Sequence, residues 1–457
     1  GGGGSARRRR GCRPRGAGRG AAGGFCGGLG GRLPEPRGRL PHPGPAVAPR
    51  GPQPRAGRGR GRGGGGAGPA LRARRRAAFG DGAGSLLRPV RLHRGADVHA
   101  GGLGAHRGDA CGRRDEASMK AYFRAISQNP QCFKDKVVLD IGCGTGVLAM
   151  FVARAGARRV YAVEASNMAS AAKAVVEANG LGGVVEVIRG LTETVELPEK
   201  VDVIISEWMG NLLLKEAMLD TVLLARDRFL KPGGALYPSH ATVYLAPCSH
   251  SCFRDRWQQY VDEHWTWQNF LHTMRTRYSL DYSSLTARHE AEASEQHLQS
   301  WDWATLNATH MHGAAAPFLR LDLLQVPLER VRQLHREVFN CSISMSTGGL
   351  VGGLCGFFDV EFRGSPESPT AEVVTLSTGP EANATHWGQQ LFGFFPPEAD
   401  VYDEQELGIP VEAGDVLHCG VRIGRPEKNP RLLRLELSIR HEAPDGWEST
   451  WREAWYV

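Results

Sequence analysis

Val137-Val138-Leu139-Asp140-Ile141-Gly142-Cys143-Gly144-Thr145-Gly146 decides the fold: an apolar strand runs straight into a glycine turn. An apolar helix, Val147 to Ala155, follows it, then a second strand, Val160–Val163, ending in Glu164. The alternation continues with a helix over Met168–Asn179, strands over Val184–Arg189 and Val201–Ile205, and a helix over Ala217–Leu230. Strand–helix alternation at this spacing predicts a parallel sheet with helices on both faces.

The turn reads G-x-G-x-G, and bare glycines let a ligand come close to the backbone. Glu164 lies 18 residues after Gly146, near the spacing at which a carboxylate takes ribose hydroxyls. No phosphate-binding Lys follows the glycines, which argues against a nucleoside triphosphatase. A ribosyl ligand that needs no phosphate, such as S-adenosylmethionine, fits better. On these residues alone a purely structural strand–helix turn stays open.

A second stretch carries the candidate chemistry: Ser206-Glu207-Trp208-Met209-Gly210-Asn211-Leu212-Leu213-Leu214-Lys215-Glu216-Ala217-Met218. Its two glutamates are nine residues apart. On one straight helix, about 100° per residue puts them on opposite faces. They converge only if the chain turns between them, and Gly210-Asn211 is a suitable turn. Two converged carboxylates share a proton unless a cation lies between them, and a planar guanidinium pairs with carboxylates two bonds at a time. The plainer alternative is a strand end followed by an amphipathic helix with a solvated Glu.

Charge is unevenly spread. Residues 1–114 hold 25 Arg and four acidic residues, net +21; the remainder holds 31 basic and 44 acidic residues, net −13. An acidic body disfavours nucleic acid as its direct ligand and favours a basic partner. The Gly-, Arg- and Pro-rich N-terminal region has too little apolar surface to offset its ordering entropy, so it reads as disordered. Its run Gly57-Arg58-Gly59-Arg60-Gly61-Arg62-Gly63-Gly64 suits RNA, or the chain's own active site. A transit peptide shares the Arg-rich composition but calls for an apolar helix that is absent here. The ten Cys are scattered, without a C-x-x-C pair, which points to a reducing compartment, cytoplasm or nucleus, and to no zinc site. His310 and His312 form an isolated pair, read as structural. No apolar run reaches about 18 residues, so no membrane span is expected.

After Lys231-Pro232-Gly233-Gly234 the pattern becomes alternating, over Ala241–Pro247, Phe357–Phe362, Glu372–Ser377, Val416–Ile423 and Leu433–Arg440. These segments predict antiparallel strands. A helical insert rich in Trp and Tyr, about Phe253–Tyr282, interrupts them, and Thr385-His386-Trp387 stands out as a further motif.

Together V-L-D-I-G-C-G-T-G (138–146), V-E-A-S (163–166), S-E-W-M-G (206–210) with K-E-A-M (215–218), and T-H-W-G-Q-Q (385–390) resemble the protein arginine N-methyltransferases. The resemblance covers the chain from about Asp115 onward. It implies a Rossmann-like S-adenosylmethionine-dependent methyltransferase domain over 115–238, then an antiparallel β-barrel over 239–457. A helical dimerisation arm would be inserted in the barrel at about 253–282, and the partner would be a second copy. By the same resemblance Asp140, Gly142, Gly144 and Gly146 line the methionine and ribose side of the cofactor. Glu164 takes the ribose hydroxyls and Glu193 the adenine amine. Glu207 and Glu216 hold the substrate guanidinium, and Met209 and Met218 pack around the target nitrogen and the sulfonium. Trp387 lies on the substrate side, and His386 pairs with Asp115 and takes part in catalysis.

The implied activity is transfer of methyl groups from S-adenosylmethionine to arginine in arginine-glycine-rich proteins and histones, with monomethyl and asymmetric dimethyl products (type I). No metal is involved, and nucleic acid meets only the N-terminal tail. Three features depart from the family pattern. The arginine that pairs with the methionine carboxylate falls on Ser118, the loop tyrosine falls on Asn211, and the Y-F-x-x-Y helix ahead of the domain is missing. They keep a second reading alongside the first: a methyltransferase-like scaffold of weak turnover, acting as a binding module.

Overall fold

The computed structural model describes residues 109–395 and 408–456, Asp445 and Trp447 apart. The arginine-glycine run and the side chain of Asp115 lie outside the described residues. The first half of the described chain runs α1 (Asp109–Ser127), β1 (Val137–Ile141), α2 (Val147–Arg154), β2 (Arg159–Glu164), α3 (Met168–Ala178), β3 (Val185–Arg189), β4 (Val201–Ser206), α4 (Met218–Phe229) and β5 (Leu230–Tyr237). The strands lie in the order β3-β2-β1-β4-β5, all parallel. Every residue of β1 is buried, as a strand covered by helices on both faces requires. Each fully buried Val, Leu or Ile there contributes about 1.5–3 kcal/mol.

Strand order reverses between β1 and β4, whose last residues, Ile141 and Ser206, pair side by side. A parallel sheet binds its ligand outside the carboxyl ends of the strands at such a switch point. The glycine turn leaves β1 there, Glu164 closes β2 there, and Glu207 leaves β4 there. Ser206 Oγ donates to the Ile141 carbonyl at 2.8 Å, fixing the two strand ends together.

The rest is antiparallel: β6 (His240–Ser249), α5 (Arg254–Tyr278), α6 (Thr286–His297), β7 (Asp302–Ala304), β8 (Ala316–Asp322), α7 (Leu328–Arg332), β9 (Phe339–Ser344), β10 (Gly349–Gly364), β11 (Pro369–Ser377), β12 (Gln389–Gly393), β13 (Ile409–Val411), β14 (Val416–Gly424), β15 (Arg434–Glu442) and β16 (Glu448–Tyr456). The long β10 pairs with β5, β6, β11, β12 and β13, while β16-β15-β14-β9 form a separate sheet. The helical insert continues to His297. Its second helix, rich in Ala and Glu, is too polar for apolar periodicity to reveal. Trp267 joins the pair by stacking on His289 at 4.3 Å and donating to Thr286 Oγ1. Trp257, 2% exposed, stacks on Phe395 and seats α5 on the barrel.

Strand β5 departs from the sequence expectation, in which a helix runs to Leu230 and Lys231-Pro232-Gly233-Gly234 marks a change of pattern. The strand absorbs these residues as an irregularity in its pairing with β4, between Val201 and Val203. A Cβ at Gly234 would meet the Asp202 carbonyl at 2.9 Å, so glycine is what lets the strands close.

Candidate active site

The glycine turn takes its shape from three left-handed residues, Gly142 (φ 69°), Gly144 (φ 55°) and Gly146 (φ 84°). Side chains rarely adopt this conformation. Beside it Asp140 is fully buried; its Oδ2 accepts from Ala149 N at 3.0 Å, and its Oδ1 has no partner. Burial pushes this carboxyl up to about 7, against the pull of the Ala149 N–H and with the nearby Glu164 charge adding to the rise. A buried acceptor without a donor is costly, and a cationic or hydroxyl-bearing ligand in the turn relieves it. Glu164 is oriented by two backbone donors, Gly144 N at 3.0 Å and Ser166 N at 2.8 Å. Each of its oxygens keeps a lone pair for a ligand hydroxyl.

Between β4 and α4 the chain forms a tight loop instead of a continuous helix. Among the described residues six non-glycines have positive φ, and Leu212, Leu213, Glu216 and Ala217 are four of them. Such conformations cost on the order of 1–3 kcal/mol each, and persist only where the surroundings over-determine them. Gly210 makes the turn possible, because a Cβ there would collide with the Lys215 carbonyl. Gly210 N donates to the Leu213 carbonyl at 3.0 Å.

What holds the loop comes from other elements. Tyr122 on α1, fully buried, donates to the Ser206 carbonyl at 2.8 Å, with Met209 Sδ at 3.7 Å. Burial drives its hydroxyl well above the ordinary tyrosine range, and the charges of Glu207 and then Asp140 add to the effect. Tyr122 therefore feels the charges of both the half-buried Glu207 and Asp140 while its hydroxyl holds the end of β4. From the barrel, Trp387 Nε1 donates to the Met209 carbonyl at 2.9 Å, and Gln390 Oε1 accepts from Leu212 N at 2.9 Å. Glu216 N donates to the Arg431 carbonyl at 2.7 Å. Two bidentate bonds from Arg425 to Asp220, 3.0 and 2.9 Å, fasten the start of α4 to the same β14–β15 connection.

The structure thus brings Asp140, Gly142, Gly144, Gly146, Glu164, Glu207 and Met218 to the carboxyl edge of the parallel sheet. Met218 closes over the glycine turn: a Cβ at Gly142 would lie 2.5 Å from its Cε. Glu216 sits two residues before Met218, the first residue of α4. Glu193 is exposed after β3, its carboxylate accepting from Thr221 Oγ1 at 2.6 Å. The His386 ring lies 3.9 Å from that of Trp387. Trp387 itself is 2% exposed and packs edge-on against Phe358, so it serves the site through Met209. Ser118 is buried one turn before Tyr122 on α1.

The same order of motifs recurs in known proteins. A methyltransferase domain matches residues 138–234, and an arginine methyltransferase oligomerization subdomain matches residues 239–444. Over 345 residues the chain is 39% identical to protein arginine N-methyltransferase PRMT10 of Arabidopsis thaliana, covering 75% of this chain and 87% of that one. The chain belongs to the protein arginine N-methyltransferase family. Protein arginine N-methyltransferase 1 of Saccharomyces cerevisiae is 33% identical over 333 residues, 72% of this chain and 84% of that one. Among solved structures, Arabidopsis thaliana protein arginine methyltransferase 10, in a uniquely open conformation, superposes with a TM-score of 0.67 at 37% identity. That match covers 75% of this chain and 95% of the other. A Trypanosoma brucei PRMT1 enzyme–prozyme heterotetramer with AdoHcy superposes at 0.59 and 28% identity, again over 75% and 95%.

This arginine methyltransferase therefore takes S-adenosylmethionine as its methyl donor. The residues fit that molecule: a left-handed glycine turn that excludes side chains, an orphaned buried carboxylate oxygen suited to a cation, and a carboxylate presented by two backbone N–H groups. Among the described residues no group of three or more His, Cys, Asp or Glu is arranged to hold a metal ion. Nor is any helix among them long and apolar enough to cross a membrane. Tyr122, Arg425 and Arg431 carry no local signal that marks them for the site, and Gln390 stands in the T-H-W-G-Q-Q motif with nothing in the sequence to show its task. Their partners are 84 to 215 residues away in the chain, beyond any local pattern.

Proposed function

We propose that this enzyme is a type I protein arginine N-methyltransferase, producing monomethyl and asymmetric dimethylarginine, with Glu207 and Glu216 gripping the substrate guanidinium. The observation that carries the reading is the placement of Met218. Its thioether covers Gly142, and Glu216 lies two residues earlier, so one short segment joins the donor turn to the second carboxylate. S-adenosylmethionine supplies an electrophilic methyl group on a sulfonium. The protein's part is to make a poor nucleophile competent. A guanidinium has a pKa above about 12 and a delocalised lone pair. Two carboxylates fix its plane and draw positive charge toward the nitrogens they bind, leaving the third nitrogen freer to attack. Holding the acceptor in line then removes much of the entropic barrier. The proton lost from nitrogen goes to Glu216 or to His386. Asp140, Gly142, Gly144, Gly146 and Glu164 hold the donor's amino acid and ribose, and Glu193 its adenine amine. Met209 and Met218 wall the transferring methyl.

The acidic body favours arginine-glycine-rich proteins and histones as substrates, and the N-terminal tail is the one part suited to nucleic acid. The scattered cysteines fit the cytoplasm or nucleus. A homodimer through α5 and α6 is supported by the match to an oligomerization subdomain and by the apolar side chains this arm exposes, Trp265, Tyr278 and Leu285. Ser118, in the place of the carboxylate-binding arginine, favours a weakened hold on the donor. The test is incubation of the full chain with labelled S-adenosylmethionine and an arginine-glycine-rich peptide, followed by amino-acid analysis. Label in asymmetric dimethylarginine is expected. Symmetric dimethylarginine, or monomethylarginine alone at exhaustive conversion, would overturn the product assignment; bound donor with no transfer would favour the scaffold.

A further inference from the structure

The connection between β14 and β15, residues 425–433, does more than close a hairpin. It is fixed at one end by the Arg425–Asp220 pair, whose side chains are only 16% and 20% exposed. At the other end Leu433 is buried in the core. Between them the Arg431 carbonyl receives the Glu216 N–H at 2.7 Å, and Asn429 Oδ1 receives Arg431 N at 3.2 Å. The Arg431 backbone is therefore held without help from its side chain. That side chain nevertheless turns to Glu216: Nη2 lies 3.4 Å from Oε2, a single long contact with the guanidinium 52% exposed.

A guanidinium is thus already present on one of the two carboxylates assigned to the substrate guanidinium. Its one-point, half-exposed contact is the weak kind, worth a few-fold in affinity at most, whereas a substrate arginine held by two carboxylates gains paired, planar bonds. We infer that Arg431 is a resident guanidinium that occupies Glu216 until a substrate arginine displaces it, so that it sets substrate affinity. The inference rests on the proposed grip of Glu207 and Glu216. It makes Arg431 a specificity-determining residue: a ligand must offer a guanidinium able to outcompete the one in place, and a lysine ammonium, a point charge without the fork, does so poorly.

The experiment measures affinity of the full chain for a fluorescent arginine-glycine-rich peptide by anisotropy, at fixed salt. Arg431→Gln keeps the backbone bond and removes the cation, and it is expected to tighten binding about two- to fivefold. Arg431→Lys is expected to fall between it and the parent, and carries the test in the same direction should the Gln variant not fold. In a Glu216→Gln background the Arg431→Gln gain is expected to vanish. Unchanged or weaker binding by both Arg431 variants would overturn the inference, as would a gain that survives Glu216→Gln. Glu207→Gln and Glu216→Gln alone separate the two levels. If each weakens peptide binding while Arg431→Gln does nothing, only the resident guanidinium is wrong. If neither weakens it, the grip itself is wrong and the inference falls with it.

Discussion

The indole Nε1 of Trp387, on the approach to β12, donates to the backbone carbonyl of Met209 at 2.9 Å, across 178 positions of sequence. This bond, with its neighbour from Leu212 N to Gln390 Oε1, makes the antiparallel half of the chain the mould for a loop that belongs to the parallel half. Replacing Trp387 by Phe keeps a ring against Phe358 and leaves the Met209 carbonyl buried and unpaired. The expected loss is about 1–3 kcal/mol of stability with a fall in turnover, read by urea unfolding and by methyl transfer. Unchanged values for both would mean the bond does not hold the loop.

Glu207→Gln and Glu216→Gln are each expected to lower methyl transfer by a factor of a hundred or more, on the order of a removed electrostatic contact in a transition state. Donor affinity should stay within a few-fold of the parent, because neither residue belongs to the glycine turn. Calorimetric titration with S-adenosylhomocysteine and a single-turnover assay check the two halves. Retention of most activity by either variant would remove it from the grip.

Asp140 gives the donor site a pH dependence whose sign is fixed. Burial raises its carboxyl from 3.8 to about 7. A carboxyl raised on folding contributes stability that is whole below pH 3.8 and is lost as pH climbs to about 7. The cationic donor favours the ionised form, so its affinity should rise with pH toward 7, by up to about tenfold per pH unit, with release of a proton. Titration calorimetry in two buffers of different ionisation enthalpy reads that proton, and Asp140→Asn should flatten the profile. A flat profile in the parent would contradict the role given to the orphaned oxygen.

Gly210→Ala is expected to abolish turnover while leaving the far-ultraviolet circular dichroism of the two sheets intact, since the added Cβ meets the Lys215 carbonyl inside the loop. Parent-like activity in this variant would show that the loop tolerates another path between its glutamates.

The run Gly57–Gly64 carries three arginines between glycines, the pattern proposed for the enzyme's substrates. Incubation of the full chain with S-adenosylmethionine should add methyl groups at Arg58, Arg60 and Arg62, as read by mass spectrometry. Only unmodified arginine there would dispose of self-methylation.

The parallel half was legible because its signals are local. Val137–Ile141 is apolar throughout, Gly142, Gly144 and Gly146 mark the turn, and Glu164 closes the next strand within one repeat. Strand β5 was hidden by Pro232, Gly233 and Gly234, which read as a stop yet form an irregular edge against β4. The bend between Glu207 and Glu216 was visible in Gly210-Asn211, but its fastening was not. Arg431 reaches Glu216 over 215 positions, and no periodicity reports a carbonyl that happens to meet an N–H. Asn129 is a similar case: its side-chain amide exchanges bonds with both backbone groups of Glu372, tying α1 to β11, and in sequence it looks like an ordinary helix end.

Because the barrel shapes the acidic loop through Trp387, Gln390 and Arg431, the two halves are not interchangeable modules. A chimera joining this nucleotide half to a relative's barrel would inherit every motif and still misplace its second glutamate wherever the borrowed hairpin differed by a single residue. Inheritance of activity in this lineage is then expected to track paired changes across that seam, and engineering of substrate preference should begin there.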